Sequence, residues 1–118
     1  MFKTFLFVFI GGGLGSILRY SIQKFTASTQ FPYATLSINI IGCFIAGLLF
    51  TVMIRNNSGE QLRAMLIAGF CGGFTTFSAF SLESVQLYKQ NIVQFVLYVA
   101  LSLIICLAAT VLGMKIIK

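Results

Sequence analysis

Four long runs of apolar residues separated by short polar gaps organise this chain. They extend from Phe2 to about Ile22, from Tyr33 to Ile54, from Leu62 to about Tyr88 and from Ile92 to about Met114. Each is close to or above the roughly 20 residues with which an α-helix crosses a hydrocarbon core. The gaps hold turn and capping residues: Thr26-Ala27-Ser28-Thr29-Gln30 ahead of Phe31-Pro32, then Arg55-Asn56-Asn57-Ser58-Gly59-Glu60, then Lys89-Gln90-Asn91. Pro32 falls at a helix start, where its missing N–H costs nothing. The pattern predicts an all-α membrane protein of four transmembrane helices, with residues 1–118 forming a single domain.

Composition strengthens that reading. Of 118 residues, 58% are apolar and 8% charged, and the mean hydropathy is +1.00. A soluble domain carries about a quarter charged residues, and one this small has too much surface to cover with so few. Lys3 followed by Phe5-Leu6-Phe7-Val8-Phe9-Ile10 imitates a secretion signal. Three further apolar runs follow it, so it is read as a retained first helix. The formal charge of +6 does not indicate nucleic acid, because the basic residues are scattered singly near the ends of the runs. Nor is there a nucleotide-binding motif. Cys43, Cys71 and Cys106 lie inside apolar runs without metal-type spacing and without any His, and are read as small packing residues.

Four spans put both termini on one side, with Lys3, Arg55, Arg63, Lys115 and Lys118 against Arg19, Lys24 and Lys89 on the other. Five to three is a weak orientation signal. It leaves open both a single N-in, C-in orientation and insertion in both orientations. Small residues recur at four-residue spacing: Gly11/Gly15, Gly12/Ser16, Ala68/Gly72, Gly69/Gly73 and Ala109/Gly113. Such pairs let helix backbones approach closely in lipid. Some must serve folding within one chain, and their abundance favours an oligomer.

The third run carries polar chemistry at Gly69-Phe70-Cys71-Gly72-Gly73-Phe74-Thr75-Thr76-Phe77-Ser78-Ala79-Phe80-Ser81-Leu82-Glu83. Paired glycines before paired threonines predict a helix broken mid-membrane, with Gly72-Gly73 ending one half and Thr75 or Thr76 capping the next. Backbone freed at such a break must be buried in protein or line a cavity or ion site. A cation held by carbonyls and a glycine packing kink are both open. Phe77 and Phe80 share a face with Ser81, and their positive ring edges suit a small anion; facing lipid or core is the alternative. Asn39, one turn after Thr35, brings amide donors that suit an anion or an interhelical hydrogen bond. Tyr98, Ser102, Cys106 and Thr110 form a polar stripe, either a hydroxyl track or side chains bonded to their own i−4 carbonyls. Arg19 and Glu83 are ionisable residues within or near the membrane.

Three segments in order resemble the fluoride channel family called Fluc or CrcB. They are Gly11-Gly12-Gly13-Leu14-Gly15-Ser16-Ile17-Leu18-Arg19-Tyr20, Pro32-Tyr33-Ala34-Thr35-Leu36-Ser37-Ile38-Asn39 with Gly42, and Gly69 through Glu83. The resemblance implies a passive fluoride-selective channel of the cell inner (plasma) membrane that exports cytoplasmic fluoride. It implies an antiparallel dual-topology homodimer with two pores. Asn39, Phe77 and Phe80 would contact the anion, and Thr35, Ser81, Tyr98 and Ser102 would join the pore. Arg19 would lie toward a vestibule, and the carbonyls of Gly72 and Thr75 from both subunits would hold a central structural Na⁺. Ala34 stands in place of the family's usual Gly, and Ala79 in place of its usual Thr between the two Phe residues. The rivals are a small dual-topology proton-coupled transporter, which needs a carboxylate that the first helix lacks, and a non-transporting membrane assembly subunit.

Overall fold

The computed structural model describes residues 1–26 and 31–116, and among them every regular element is helical. In chain order these are α1 (Phe2–Phe25), α2 (Tyr33–Arg55), α3 (residues 60–74), α4 (Phe77–Gln90) and α5 (Ile92–Ile116). Four stretches are long and apolar enough to span a membrane: α1, α2, α5 and the stretch Glu60–Gln90 that contains α3 and α4. Large apolar side chains such as Phe2, Phe9, Ile17, Ile104 and Leu107 cover the outside. The protein is therefore a multi-pass membrane protein. Residues 27–30, read above as a connector, and Lys118, counted in the charge balance, lie outside the described residues.

Local chemistry explains the other helix ends. After α2, Asn57 takes a left-handed backbone (φ 51), while the Ser58 N–H reaches Met53 O (3.0 Å) and the Asn57 N–H reaches Ile54 O (3.3 Å). This is a Schellman closure with Asn in the place that most often holds Gly. Between α4 and α5 a single residue suffices. The Asn91 side-chain oxygen accepts from the N–H groups of Val93 (3.0 Å) and Gln94 (3.3 Å), capping α5.

The helices pack as two parallel pairs. Along α1 and α3, a β-carbon on Gly11, Gly15, Gly69 or Gly73 would run into the facing backbone. Along α2 and α5, Gly47 meets the backbone of Thr110, and Gly113 meets that of Phe44. Four of the five small-residue pairs are thus used inside the chain. Ala68 and Gly72 alone remain exposed.

The α2–α5 seam has a regular register. Thr51 Oγ1 donates to Met114 O (3.3 Å), and Gly47 faces Thr110. Stepping back four residues at a time pairs Cys43 with Cys106, Asn39 with Ser102 and Thr35 with Tyr98. Each rung is small or polar on at least one side, which is why the two backbones can approach.

The third span is interrupted, but not at the glycines. Gly72 keeps helical angles (φ −63, ψ −37), and no described glycine has a positive φ. The helix runs to Phe74, and Thr75 (ψ 157) and Thr76 (φ −148, ψ 124) are extended before Phe77 restarts it. Gly73 serves close approach to Gly12 instead of chain reversal. Upstream, Ala64–Cys71 is wound as a π-helix, so that the Gly72 N–H reaches back to Ile67 O. Such turns are rare and often sit beside functional sites.

Candidate functional site

The interruption leaves a set of peptide groups that need partners, and the surrounding side chains supply most of them. The Thr75 N–H (2.9 Å) and Oγ1 (2.8 Å) both donate to Cys71 O. Arg19 Nε donates to Gly73 O (3.1 Å), so this guanidinium turns inward to the broken helix instead of snorkelling. Asn39 secures the restart: its Oδ1 accepts from the Thr76 N–H (3.0 Å) and its Nδ2 donates to Thr76 O (3.3 Å). Thr76 Oγ1 accepts from the Ala79 N–H (3.2 Å), which makes it the cap of α4. Gly72 O and Thr75 O receive no hydrogen bond from any described residue.

Asn39 therefore makes the interhelical bond that was one of its two readings, and still keeps one amide N–H beyond it. Asn39 also lines an open cleft of about 200 Å³ beside the interruption. Asn39, Cys43, Thr75 and Thr76 line one side, Ser102, Leu103 and Cys106 another, and Phe77 and Phe80 a third. The two rings lie 5.6 Å apart between centroids and are tilted by 44°. Ser102 is 6% exposed, and its hydroxyl has no partner among the described residues. Phe77, the first residue of α4, lines the cleft, and a helix N-terminus carries partial positive charge equivalent to about half an elementary charge. No ionised side chain lines this cleft. Its chemistry is that of weak, multiple donors on an apolar wall.

A second recess of about 470 Å³ lies toward the α2 N-terminus, lined by Gln23, Thr35, Ala79 and Glu83 among others. Glu83 is its chemical centre. Thr35 Oγ1 donates to Glu83 Oε2 (3.1 Å), the Tyr98 hydroxyl donates to Glu83 Oε1 (3.2 Å), and Gln23 Nε2 donates to Thr35 Oγ1 (3.3 Å). Tyr98 links the two spaces, its ring 5.2 Å from that of Phe80. The fully buried Thr35 and Tyr98 thus commit their protons to a carboxylate. Sequence reasoning left Glu83 without a role, although its position three residues after Phe80 puts both on one face of α4.

Among the expected site residues, Asn39, Phe77, Phe80 and Ser102 meet in the first cleft, and Thr35 and Tyr98 meet at Glu83. Ser81 joins neither; it is exposed on the outside of α4. Thr110 is the one stripe residue that bonds its own i−4 carbonyl, Cys106 O, at 3.1 Å.

Four membrane-crossing segments, one of them interrupted and clamped by an asparagine and an arginine beside a charge-free polar cleft, define a small membrane protein built around a helix break. Comparison with known proteins makes this specific. The model of the family described as "CrcB-like protein, Camphor Resistance (CrcB)" matches residues 6–114, and the chain belongs to this family. Among its relatives, a protein of Flavobacterium psychrophilum named "Fluoride-specific ion channel FluC" is 46% identical, covering 98% of both chains. Proteins of the same name from Azobacteroides pseudotrichonymphae (42% identical, 96% of this chain, 94% of the relative) and Phocaeicola vulgatus (41%, 94% and 95%) align over nearly the same extent.

Proposed function

We propose that this chain is a passive fluoride channel of the plasma membrane and not an enzyme. The observation that carries the proposal is the meeting of Asn39, Ser102, Phe77 and Phe80 around one cleft without a formal charge, in a relative of proteins named for fluoride conduction. Fluoride is small and strongly hydrated, so a selective path must replace its water with several short-range donors and still release it. One amide N–H, an unpartnered hydroxyl, ring edges and the α4 N-terminus are donors of that kind. A Lys or Arg in the cleft would hold the ion too firmly. Farther along, the ion meets Thr35 and Tyr98, whose hydroxyls must exchange Glu83 for fluoride as it passes.

The working unit in this proposal is an antiparallel dual-topology homodimer with two pores. The cleft is open on one side, Phe77 at its rim is 77% exposed in the single chain, and Ala68 and Gly72 present an unused small-residue face. The weak charge asymmetry supports insertion in both orientations. Gly72 O and Thr75 O, the carbonyls left without donors, fit the ligands of a structural Na⁺, and two from each of two chains give an all-oxygen set. Such an ion would neutralise the oxygens gathered at the break. The Arg19 guanidinium takes the intervening Gly73 carbonyl and leaves the other two free.

Reconstitution into liposomes tests the function. The purified chain is expected to release trapped fluoride down its gradient, with little chloride movement, and Phe80→Ile is expected to abolish most of that flux. Robust chloride flux, or an unaffected variant, would refute the assignment. Fluoride movement driven by an imposed proton gradient would favour the proton-coupled rival, and silent liposomes would favour the assembly subunit.

A further inference from the structure

The α2–α5 seam brings Cys43 and Cys106 face to face, one turn beyond Asn39 and Ser102, and both line the cleft. The register of the seam, with Thr51 at Met114 and Gly47 at Thr110, places the two residues opposite one another. We propose that Cys43 and Cys106 form a two-coordinate site for a soft thiophilic cation of d¹⁰ configuration, and that an ion held there closes the cleft.

The chemistry selects the class of metal. Among the described residues no three of His, Cys, Asp and Glu gather in one place, so the four-coordinate shell that Zn²⁺ takes cannot be completed. Cations that accept two sulfur ligands in a line, Cu(I), Ag(I) and Hg(II), need only the pair. The surroundings also favour a neutral product, because the nearby wall is Phe77, Phe80 and Leu103 and carries no counter-ion. A divalent cation reaches neutrality by releasing both thiol protons and forming two metal–sulfur bonds. A monovalent one releases a single proton and keeps the second sulfur as a thiol. Neither step involves an oxidant. Cys71 is buried and does not line the cleft, and it forms no group of three potential ligands with the pair.

The cleft holds about 200 Å³, and a metal bridging its two helices one turn from Asn39 would stand in the route of any ion using that amide. The occluding half of the proposal rests on the fluoride reading, whereas the binding half does not. The test therefore has two readouts on the full-length chain. In detergent, Hg²⁺ is titrated while the ultraviolet mercury–thiolate charge-transfer band is followed. One tightly held Hg²⁺ per chain is expected, displaced by a competing dithiol and resistant to Zn²⁺. Cys43→Ser and Cys106→Ser are each expected to lose that phase, and Cys71→Ala to keep it. In liposomes, fluoride flux with Hg²⁺ is divided by flux without it. A fall of more than ten-fold is expected for the unaltered chain and for Cys71→Ala, with recovery on adding dithiol, and a ratio near one for either serine variant. Undiminished binding in Cys106→Ser, or binding that disappears only in Cys71→Ala, would overturn the site. Full occupancy with unchanged flux would overturn the occlusion. Liposomes silent before metal is added would count against the fluoride reading while the titration still decides the site.

Discussion

Asn39 bonds both polar atoms of the Thr76 peptide, and Arg19 bonds the carbonyl of Gly73, so two side chains from different helices hold the ends of one interruption. Removing either leaves backbone groups without partners in a place where water is scarce. Asn39→Ala is expected to cost about 1–3 kcal/mol, the penalty of leaving such groups unmade, measured by unfolding in detergent. Fluoride flux should fall with it. Arg19→Lys keeps the charge but exchanges a planar, directed N–H for a mobile ammonium. Arg19 is partly exposed, so a loss of about 1 kcal/mol is expected, smaller than for Arg19→Gln in the same assay. A lysine variant as stable as the unaltered chain would show that the Gly73 contact contributes charge alone.

Among the elements, α2 and the interruption are in direct contact at Gly42, where a β-carbon would strike the Thr75 methyl and the Phe74 ring. Gly42→Ala should therefore destabilise by about 1–3 kcal/mol through overpacking, read as a lowered thermal midpoint. Gly13 provides the control, since nothing lies within 4 Å of its added carbon. Gly13→Ala is expected to be neutral or slightly stabilising, the preference of a helix for Ala over Gly being about 1 kcal/mol. The spans themselves were legible in the sequence, because hydropathy and capping residues set their ends. The position of the break was read only approximately. A glycine pair signals both chain reversal and close packing, and the second use is visible only once Gly12 stands opposite Gly73. Nothing in the run Ala64–Cys71 marks its π-helical winding. At the site, residue types at four-residue spacing identified Asn39, Thr35, Tyr98 and Ser102, but their partners depended on tertiary register. That is why the carboxylate uniting Thr35 with Tyr98 went unread, and why Ser81 was grouped with rings it does not join.

For the molecule as a whole, the inward turn of Arg19 changes the charge count. Counting Arg19 with the helix break that it bonds leaves five basic residues near one set of helix ends against two near the other. In the proposed dual-topology dimer this bias must stay small enough for both orientations to insert. Adding three lysines after Lys118 should force one orientation, detected by labelling of introduced terminal cysteines from one side of the membrane. Fluoride flux should collapse, and co-expression with a copy biased in the opposite sense should restore it. Full flux from a chain with a single fixed orientation would end the antiparallel proposal.

The seam between α2 and α5 has one more geometrical outcome. A step of four residues advances a straight helix by about 6 Å and rotates it by about 40° past a full turn. Between Thr35 and Thr51 the row of small and polar residues therefore spirals through nearly half a revolution. A straight tunnel parallel to the helices stays beside such a spiral for only two or three steps before the donors swing out of reach. In the proposed channel one subunit would accordingly furnish the middle of a route but not its whole length, and the second subunit of the proposed dimer would supply the missing wall along the open flank.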